Sequence, residues 1–180
     1  MNTKSAVITI AIALVLNVNL LAQTTAPYRI ATKTTLENAG SLRAEGAAFA
    51  THMQCNTLQD RIMCRLLEAW GTWKPGYEGW LDWSNGLYAE DAVIAAIGET
   101  DQDFRDYQQS MKLQRDKFQM EMGPIIQIIV DGNLAALVYD MFLLSKDKGE
   151  LIQKIKVTEF NAFEEKDGKR MVTRLDLYTS

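Results

Sequence analysis

The stretch GPIIQIIVDGNLAALVYDMFLLS, residues 123–145, decides the fold class of this chain. Two apolar runs flank Asp131-Gly132-Asn133, and an Asp-Gly pair between apolar runs is a strong short-range signal of a β-hairpin. A second unit of the same kind follows, in which LIQKIKVTEFNAFE and RMVTRLDLYTS are separated by Asp167-Gly168. The second half of the chain is therefore predicted to form an antiparallel meander of three or four strands.

The region before these hairpins has helical periodicity. The run TLQDRIMCRLLEAWGTW begins at Thr57 and ends before Lys74-Pro75-Gly76, which stops a helix. Two further helices are predicted over residues 77–91 and 101–118, with a strand over Ala92–Gly98 between them. Three helices followed by a sheet indicate an α+β fold in which the sheet bends around the helices.

The first 26 residues have the pattern of a secretory signal. Lys4 precedes the apolar run AVITIAIALVL at residues 6–16, and small residues follow it. The run is shorter than the roughly 20 apolar residues of a membrane-spanning helix. We therefore expect a signal peptide over 1–26, a secreted or periplasmic protein, and no stable membrane insertion after cleavage. The alternative is an N-terminal helix that stays as an anchor or becomes buried.

Residues 27–56 are predicted to be a linker or a weakly helical N-terminal extension, and 57–180 to be the domain. The extension is rich in Ala, Thr and Gly. A weak helix is possible over 41–53, but Gly40 and Gly46 argue against a firm core element.

The two cysteines lie at the start of the domain. Cys55 precedes the helix that begins near Thr57, and Cys64 lies about two turns inside it. Bridged Cα atoms lie within about 7 Å of each other, and helical rise makes that span awkward. Two unbridged thiols are therefore expected, with a disulfide as the alternative.

The composition excludes several classes of function. A single histidine, His52, excludes zinc sites built on two histidines, and the sequence has no CxxC pair. The net charge of −4 leaves no basic surface for nucleic acid overall. We expect no metal and no cofactor, so any chemistry depends on carboxylates, tyrosines or lysines.

Four strings follow one another in the order LLEAWGTW, LYAEDAVI, IIVDGNLAALVYDMF and VTEFNAFEEKDGKRMVTRLDLY. In combination they resemble the NTF2-like superfamily, in its branch of SnoaL-like polyketide cyclases and ketosteroid isomerases. The resemblance implies a cone-shaped α+β barrel, with three N-terminal helices packed on a strongly bent antiparallel sheet. It also implies a hydrophobic pocket at the open end and a homodimer formed through the outer sheet face.

The catalytic residues of the ketosteroid isomerases do not carry over to this sequence. The position of their general base resembles Ala96, and that of their first-helix tyrosine resembles Leu66, and neither side chain can transfer a proton. Tyr88 and Tyr107 resemble supporting pocket tyrosines. The sequence therefore argues against isomerase chemistry of that type.

Asp140 is a candidate catalytic residue because it lies in an otherwise apolar strand. A desolvated carboxyl needs a partner or a raised pKa, and a raised pKa suits a general acid or base. Val138, Asp140 and Phe142 share one face of the strand, and the resemblance suggests that this face lines the pocket. The alternative is the outer face, where Asp140 is solvated or lies at a dimer contact.

The last hairpin supplies a second candidate, Asp176. Counting back from a two-residue turn pairs Asn161 with Arg174 and Glu159 with Asp176, so these four side chains are predicted to share one face. In SnoaL-like proteins an aspartate near this point enters the pocket, and Asp176 resembles it after a one-residue shift. The alternative is a solvent-exposed, salt-bridged face.

The tryptophans Trp70 and Trp83 are predicted either to pack in the core or to form aromatic walls of a ligand pocket. Three functions compete on this sequence. The first is the binding of a small apolar or aromatic molecule. The second is a SnoaL-like lyase, isomerase or hydrolase with a pocket aspartate as acid–base. The third is a protein-interaction domain that uses the sheet face. Whether the chain is an enzyme stays open.

Overall fold

The computed structural model describes residues 33–97 and 100–180. The predicted signal peptide and the start of the predicted extension lie outside the described residues. The described part contains four helices and six strands. In chain order these are α1 (Leu36–His52), α2 (Leu58–Gly71), α3 (Tyr77–Leu87), β1 (Tyr88–Ala96), β2 (Gln102–Asp103), α4 (Phe104–Lys117), β3 (Phe118–Asp131), β4 (Leu134–Ser145), β5 (Leu151–Lys166) and β6 (Lys169–Thr179).

The strands form one sheet in the order β2-β1-β6-β5-β4-β3, and the sheet does not close on itself. The predicted meander is present as β3 to β6, and its last loop has the positive φ angles of a two-residue hairpin turn, 51° at Asp167 and 74° at Gly168. The sheet is mixed rather than antiparallel throughout, because the meander brings β6 beside β1 running in the same direction. The predicted α+β fold with helices packed on one sheet is confirmed.

Helix α1 is firmer than the sequence indicates. Ala39 and Ala50 are fully buried, and the side chain of Arg43 binds both the Glu121 carboxylate and the main-chain oxygen of Met122 on β3. The expectation of a weak helix without a core role is therefore wrong. The glycines that argued against it are tolerated because tertiary contacts outweigh helix propensity.

The cysteines form a disulfide, so the expectation of two thiols is also wrong. The Cα atoms of Cys55 and Cys64 are 6.5 Å apart, although nine positions separate them. The turn between α1 and α2 folds Cys55 back against the side of α2. The distance between the two cysteines is therefore shorter than the rise of the helix from Thr57 to Cys64 would suggest. The bridge fixes the turn that joins the two helices.

The core lies between the helices and the inner face of the sheet, with Trp70, Leu66 and Ile62 of α2 at its centre. Helix α3 ends earlier than predicted, so that Tyr88 begins strand β1 and enters the core. None of the described helices is both long enough and apolar enough to cross a membrane.

Candidate functional site

The carboxyl group of Glu159 is buried on the inner face of the sheet, where 3% of the residue is exposed. Its Oε1 accepts a hydrogen bond from the Tyr139 hydroxyl at 2.5 Å, and its Oε2 accepts one from Asn161 Nδ2 at 3.4 Å. Among the described residues, these two donors are the only groups found to favour the ionised form. Glu159 is therefore a buried acid without a cationic partner.

This environment changes the ionisation of several groups. Burial raises the pKa of Glu159 to about 7, and the hydrogen bonds from Tyr139 and Asn161 oppose that rise only in part. Burial, and after it the charge of Glu159, raises the pKa of both Tyr139 and Tyr88. Glu159 can therefore accept or release a proton near neutral pH, as a general acid or base must.

A bulge at Thr173 in β6 separates Glu159 from the β6 residues predicted to share its face. The pairing of β5 with β6 shifts by one residue between Ala162 and Phe163. Asn161 then pairs with Leu175 and Glu159 with Leu177, rather than with Arg174 and Asp176 as predicted. Because a one-residue shift moves side chains to the other face, the predicted polar face is divided between the two sides of the sheet.

Aromatic side chains extend from the Glu159 carboxyl towards the surface. The ring centroid of Trp70 lies 5.4 Å from that of Tyr139 and 5.5 Å from that of Trp83. The rings of Trp83 and Tyr88 are 6.2 Å apart, and Trp83 Nε1 donates to the Ala69 main-chain oxygen at 2.6 Å. Trp70, which is 1% exposed, packs in the core, whereas Trp83 is half-buried.

A surface cleft of about 920 Å³ has Tyr88 as one of its walls. Phe104 packs against Tyr88 with ring centroids 5.4 Å apart, and the two rings form an aromatic wall of the cleft. Lys166 and Asp91 form an ion pair of 2.9 Å at its charged rim. The remaining lining residues are Asn85, Ala89, Glu90, Arg105, Gln108, Asp167, Lys169 and Met171.

The other predicted pocket tyrosine, Tyr107, lies beside this cleft without lining it. It is 8% exposed, and its ring centroid is 5.8 Å from that of Trp80. Its charge contributes to the raised pKa of Tyr88. Tyr107 and Tyr88 therefore belong to one buried group around Glu159, and only Tyr88 reaches the cleft.

Asp140 lies on the outer face of the sheet, so the structure does not place it in the pocket. Its neighbour Tyr139 points inwards, and adjacent residues of a strand point to opposite faces. Asp140 is 2% exposed and binds the ammonium groups of Lys154 at 2.9 Å and Lys156 at 3.1 Å. Lys154 also donates to the main-chain oxygen of Thr34 at 2.8 Å. The lone carboxylate of this apolar strand is thus explained by an ion cluster that holds the segment before α1.

The two other residues predicted on the same face as Asp140 also lie on the outer face of the sheet. Val138 is half-buried and Phe142 is 1% exposed. Both are two residues from Asp140 along β4, so their side chains point to the same face as Asp140 and away from that of Tyr139. The resemblance suggested that this face lines the pocket, and that orientation is wrong. The reason is that Tyr139, which packs on Trp70, needs the inner face for its ring.

Asp176 and Arg174 also lie on the outer face. Arg174 binds Asp176 at 2.7 Å and both carboxylate oxygens of Asp101 at 3.1 Å. These ion pairs raise the pKa of Arg174, and the hydrogen bonds that it donates to Asp176 and Asp101 are the main causes. The alternative of a salt-bridged face, which the sequence left open, describes these residues. The cluster holds the segment that leads into β2 against β6.

Two other places where chemistry was considered offer no reactive side chains in the described residues. Within residues 33–97 and 100–180, no group of three His, Cys, Asp or Glu side chains is arranged to hold a metal ion. Leu66 is fully buried and Ala96 is half-buried, and neither can exchange a proton. Glu159, with its hydrogen-bond partners, is therefore the side chain best suited to acid–base chemistry.

Solved structures share this architecture. A conserved protein from Planctomyces limnophilus aligns with a TM-score of 0.51 at 14% identity, over 71% of this chain and 98% of its own. AclR, a candidate hydroxylase from Streptomyces galilaeus, aligns with a TM-score of 0.51 at 13% identity, over 68% of this chain and 76% of its own. An NTF2-like protein of unknown function from Shewanella baltica aligns with a TM-score of 0.45 at 15% identity, over 69% and 98%. No family model and no curated protein sequence matches the chain.

The fold is that of the NTF2-like proteins. The resemblance stated from the sequence is thus confirmed at the level of the fold. At identities of 13–15% these likenesses carry no activity with them, since one fold hosts many functions. The function of this chain therefore depends on the chemistry of its own site.

Glu159 was not singled out from the sequence as a candidate acid. Its string VTEFNAF alternates polar and apolar residues, and the alternation alone does not say which set points inwards. The signal was present on the neighbouring strand, because Tyr139 needs a partner for its hydroxyl once its ring is buried. That partner is Glu159.

Proposed function

We propose that this protein binds a small apolar or aromatic molecule in the cleft beside Tyr88. The observation that carries the proposal is the cleft itself, about 920 Å³ in volume, in which the Tyr88 and Phe104 rings meet a polar rim. Small-molecule sites are commonly clefts of about 300–1,000 Å³ with apolar walls and a few polar groups. Phe104, Ala89 and Met171 supply apolar surface, and Gln108 supplies an amide for orientation.

Binding in the cleft is tested with two neutral probes, indole and 2-naphthol, followed through the NMR signal of the Met171 methyl group. We expect a saturable shift in the wild-type protein. Gln108→Trp fills the cleft and abolishes it, whereas Gln109→Trp, on the exposed next residue of α4, leaves it unchanged. No shift with either probe, or equal shifts in both variants, contradicts the proposal.

A catalytic role for the same site is the second candidate, and one observation favours it. Glu159 has a pKa of about 7 and lies within electrostatic reach of Tyr88, which lines the cleft. In this reading Glu159 takes the place that the sequence gave to Asp140 and Asp176, and it serves as the general acid–base of a SnoaL-like lyase, isomerase or hydrolase. The binding proposal stands without this step.

Proton transfer is tested with 2-tetralone, an aromatic ketone with acidic C–H bonds, dissolved in D₂O. Catalysis is expected to raise deuterium incorporation above the spontaneous rate, and Glu159→Gln returns it to that rate. Glu150→Gln, which changes an exposed carboxylate in the β4–β5 loop, is the matched control and keeps the rate. Wild-type incorporation at the spontaneous rate contradicts a catalytic role for this probe class and leaves the binding proposal to its own test.

We also propose that the protein is exported and loses its first residues. The apolar run at 6–16 and the Cys55–Cys64 disulfide support this, because disulfides persist in oxidising compartments. Expression of the full chain in a Gram-negative host, followed by cell fractionation and mass measurement, is expected to give a periplasmic protein that begins between residues 23 and 27. An intact cytoplasmic protein with free thiols contradicts it.

We further propose a homodimer through the outer face of the sheet. Large apolar side chains there are each about half exposed: Ile129 at 50%, Leu134 at 56%, Phe160 at 50% and Tyr178 at 57%. Ile129, Ala136 and Phe160 form one row across β3, β4 and β5. Burying such a patch is the ordinary reason for association.

The dimer is tested by analytical ultracentrifugation. The wild-type protein is expected to sediment as a dimer, and Phe160→Glu as a monomer. Leu113→Glu, which changes a still more exposed apolar side chain on α4, is expected to stay dimeric. A monomeric wild-type protein, or a dimer that survives Phe160→Glu, contradicts this interface.

A further inference from the structure

A positive charge is buried near the C-terminal end of α4. Arg115 is 5% exposed and continues the buried stripe Phe104, Tyr107 and Met111 of that helix. Such a stripe is ordinarily apolar. Burial lowers the pKa of Arg115 to about 10, so its guanidinium stays charged at neutral pH. No carboxylate of the described residues was found to offset this charge, and Tyr107 is the one group that favours it.

Aromatic rings and one carbonyl surround this guanidinium. Its central carbon is 4.9 Å from the ring centroid of Trp73 and 5.4 Å from that of Trp80, which are cation–π distances. Its Nη1 donates to the main-chain oxygen of Gly76 at 3.2 Å. The buried Nε of Arg115 and the buried indole Nε1 of Trp73 have no acceptor. Buried donors are nearly always satisfied, so these two need an explanation.

The same place carries two further sources of positive potential. Gly76 is the N-cap of α3, an 11-residue helix. The N–H groups of the first turn of a helix have no acceptor within the helix and form the positive end of its dipole. The Lys112 ammonium lies 5.7 Å from the ring centroid of Tyr77, in the first turn of α3. Gly76 is exposed, and a Cβ atom placed on it would meet nothing within 4 Å, so its Cα borders open space.

We propose that Trp73, Gly76, Tyr77, Lys112 and Arg115 form a second binding site, the Arg115 site, for the carboxylate of a small aromatic acid. A planar carboxylate matches the donor geometry of a guanidinium, and the half-buried Tyr77 ring gives its aromatic body a surface to pack on. The site is separate from the cleft. Arg115 follows Gln108, the last cleft residue of α4, by seven positions, which is roughly 10 Å along the helix.

The proposal explains why an arginine occupies a core position. Without an anion, the buried charge is stabilised by two indole rings and one carbonyl, and two donors stay unsatisfied. With a carboxylate in place, the charge is offset, and the anion lies at the positive end of the α3 dipole. Ligand binding is then expected to stabilise the folded protein in proportion to occupancy.

The test is a titration of the full-length protein with sodium benzoate, followed through the NMR signal of the Trp73 indole N–H. We expect a saturable shift and a rise in melting temperature with benzoate. Benzyl alcohol, the neutral analogue, is expected to give neither effect. Inorganic phosphate is the second arm, and a phosphate affinity equal to that of benzoate contradicts the assignment of an aromatic carboxylate.

Variants locate the site. Arg115→Met keeps the bulk and removes the charge, and it is expected to weaken benzoate binding at least tenfold. Lys112→Gln, at an exposed position, is expected to weaken it about threefold and covers the case in which Arg115→Met does not fold. Lys117→Gln, an exposed lysine on the same helix, is the matched control and leaves binding unchanged. Absence of a Trp73 shift, or equal affinity in Arg115→Met and the wild-type protein, overturns the proposal.

Discussion

The hydroxyl of Tyr139 on β4 donates a hydrogen bond of 2.5 Å to Glu159 on β5; both side chains are buried, and the Tyr139 ring packs on Trp70. This pair turns an otherwise apolar interior into a site that can hold a proton. It also reverses the assignment that the family resemblance suggested, because the carboxylates of Asp140 and Asp176 lie on the opposite face.

Stability is predicted to fall as the pH rises from about 4.5 to about 7. The folded state holds the Glu159 proton up to a higher pH than the unfolded state does, so folding is favoured most at low pH and loses that advantage through this window. The shift corresponds to roughly 3 kcal/mol at about 1.36 kcal/mol per pH unit. Urea unfolding across this range measures it.

Glu159→Gln is predicted to remove this component of the pH dependence. Glu150→Gln, with an exposed side chain, should reproduce the wild-type curve. An unchanged curve in Glu159→Gln would show that Glu159 titrates in the folded protein as it does in the unfolded chain.

Tyr139→Phe is predicted to extend to higher pH the range over which the stability of the protein falls. The hydroxyl stabilises the ionised carboxylate, so its loss raises the pKa of Glu159 further. Above the new pKa the folded protein loses about 1–3 kcal/mol, the usual cost of an unsatisfied buried acceptor. The pH at which stability stops falling gives the readout, and a downward move would contradict the assigned donor.

Reduction of the disulfide is predicted to destabilise the protein by about 2–3 kcal/mol, because the bridge closes a short loop that is otherwise open in the unfolded chain. Urea unfolding with and without dithiothreitol measures the difference. Cys55→Ser with Cys64→Ser is expected to match the reduced protein and to lose all sensitivity to dithiothreitol. Equal stability of the oxidised and reduced proteins would argue against a bridge.

Asp140→Asn is predicted to destabilise the fold by about 1–3 kcal/mol without changing ligand binding in the cleft. The change leaves Lys154 and Lys156 without their shared carboxylate, although both ammonium groups are partly solvated, which limits the cost. A double-mutant cycle with Lys154→Gln measures the coupling. A loss of cleft binding at unchanged stability would place Asp140 in the site after all.

Much of the fold was predictable from periodicity and turn chemistry. Asp167-Gly168 supplies the positive φ angles that its hairpin needs, and the helical spacing from Thr57 to Trp70 gives α2. Helix α1 was underestimated because Gly40 and Gly46 lower helix propensity, while its anchor, Arg43, binds Glu121 far along the chain. Local sequence does not reveal contacts of that range.

The site was less predictable for a related reason. The bulge at Thr173 changes which residues of β6 face the core, so that Asp176 lies outside while Glu159 lies inside, and no turn signal announces it. Asp140 stood out correctly as a carboxylate that needs a partner, but Lys154 and Lys156, on the next strand, meet that need from outside. The resemblance to a family predicted the fold. Which of Glu159 and Asp176 lies inside was decided by the register of β5 with β6.

The most direct test of the account is the titration of the Glu159 carboxyl carbon by NMR, with the signal assigned by its loss in Glu159→Gln. The account predicts a midpoint near 7, well above that of an exposed glutamate, and a further rise in Tyr139→Phe. A midpoint near 4.5, the ordinary value, would contradict the claim that Glu159 is the buried acid of this site.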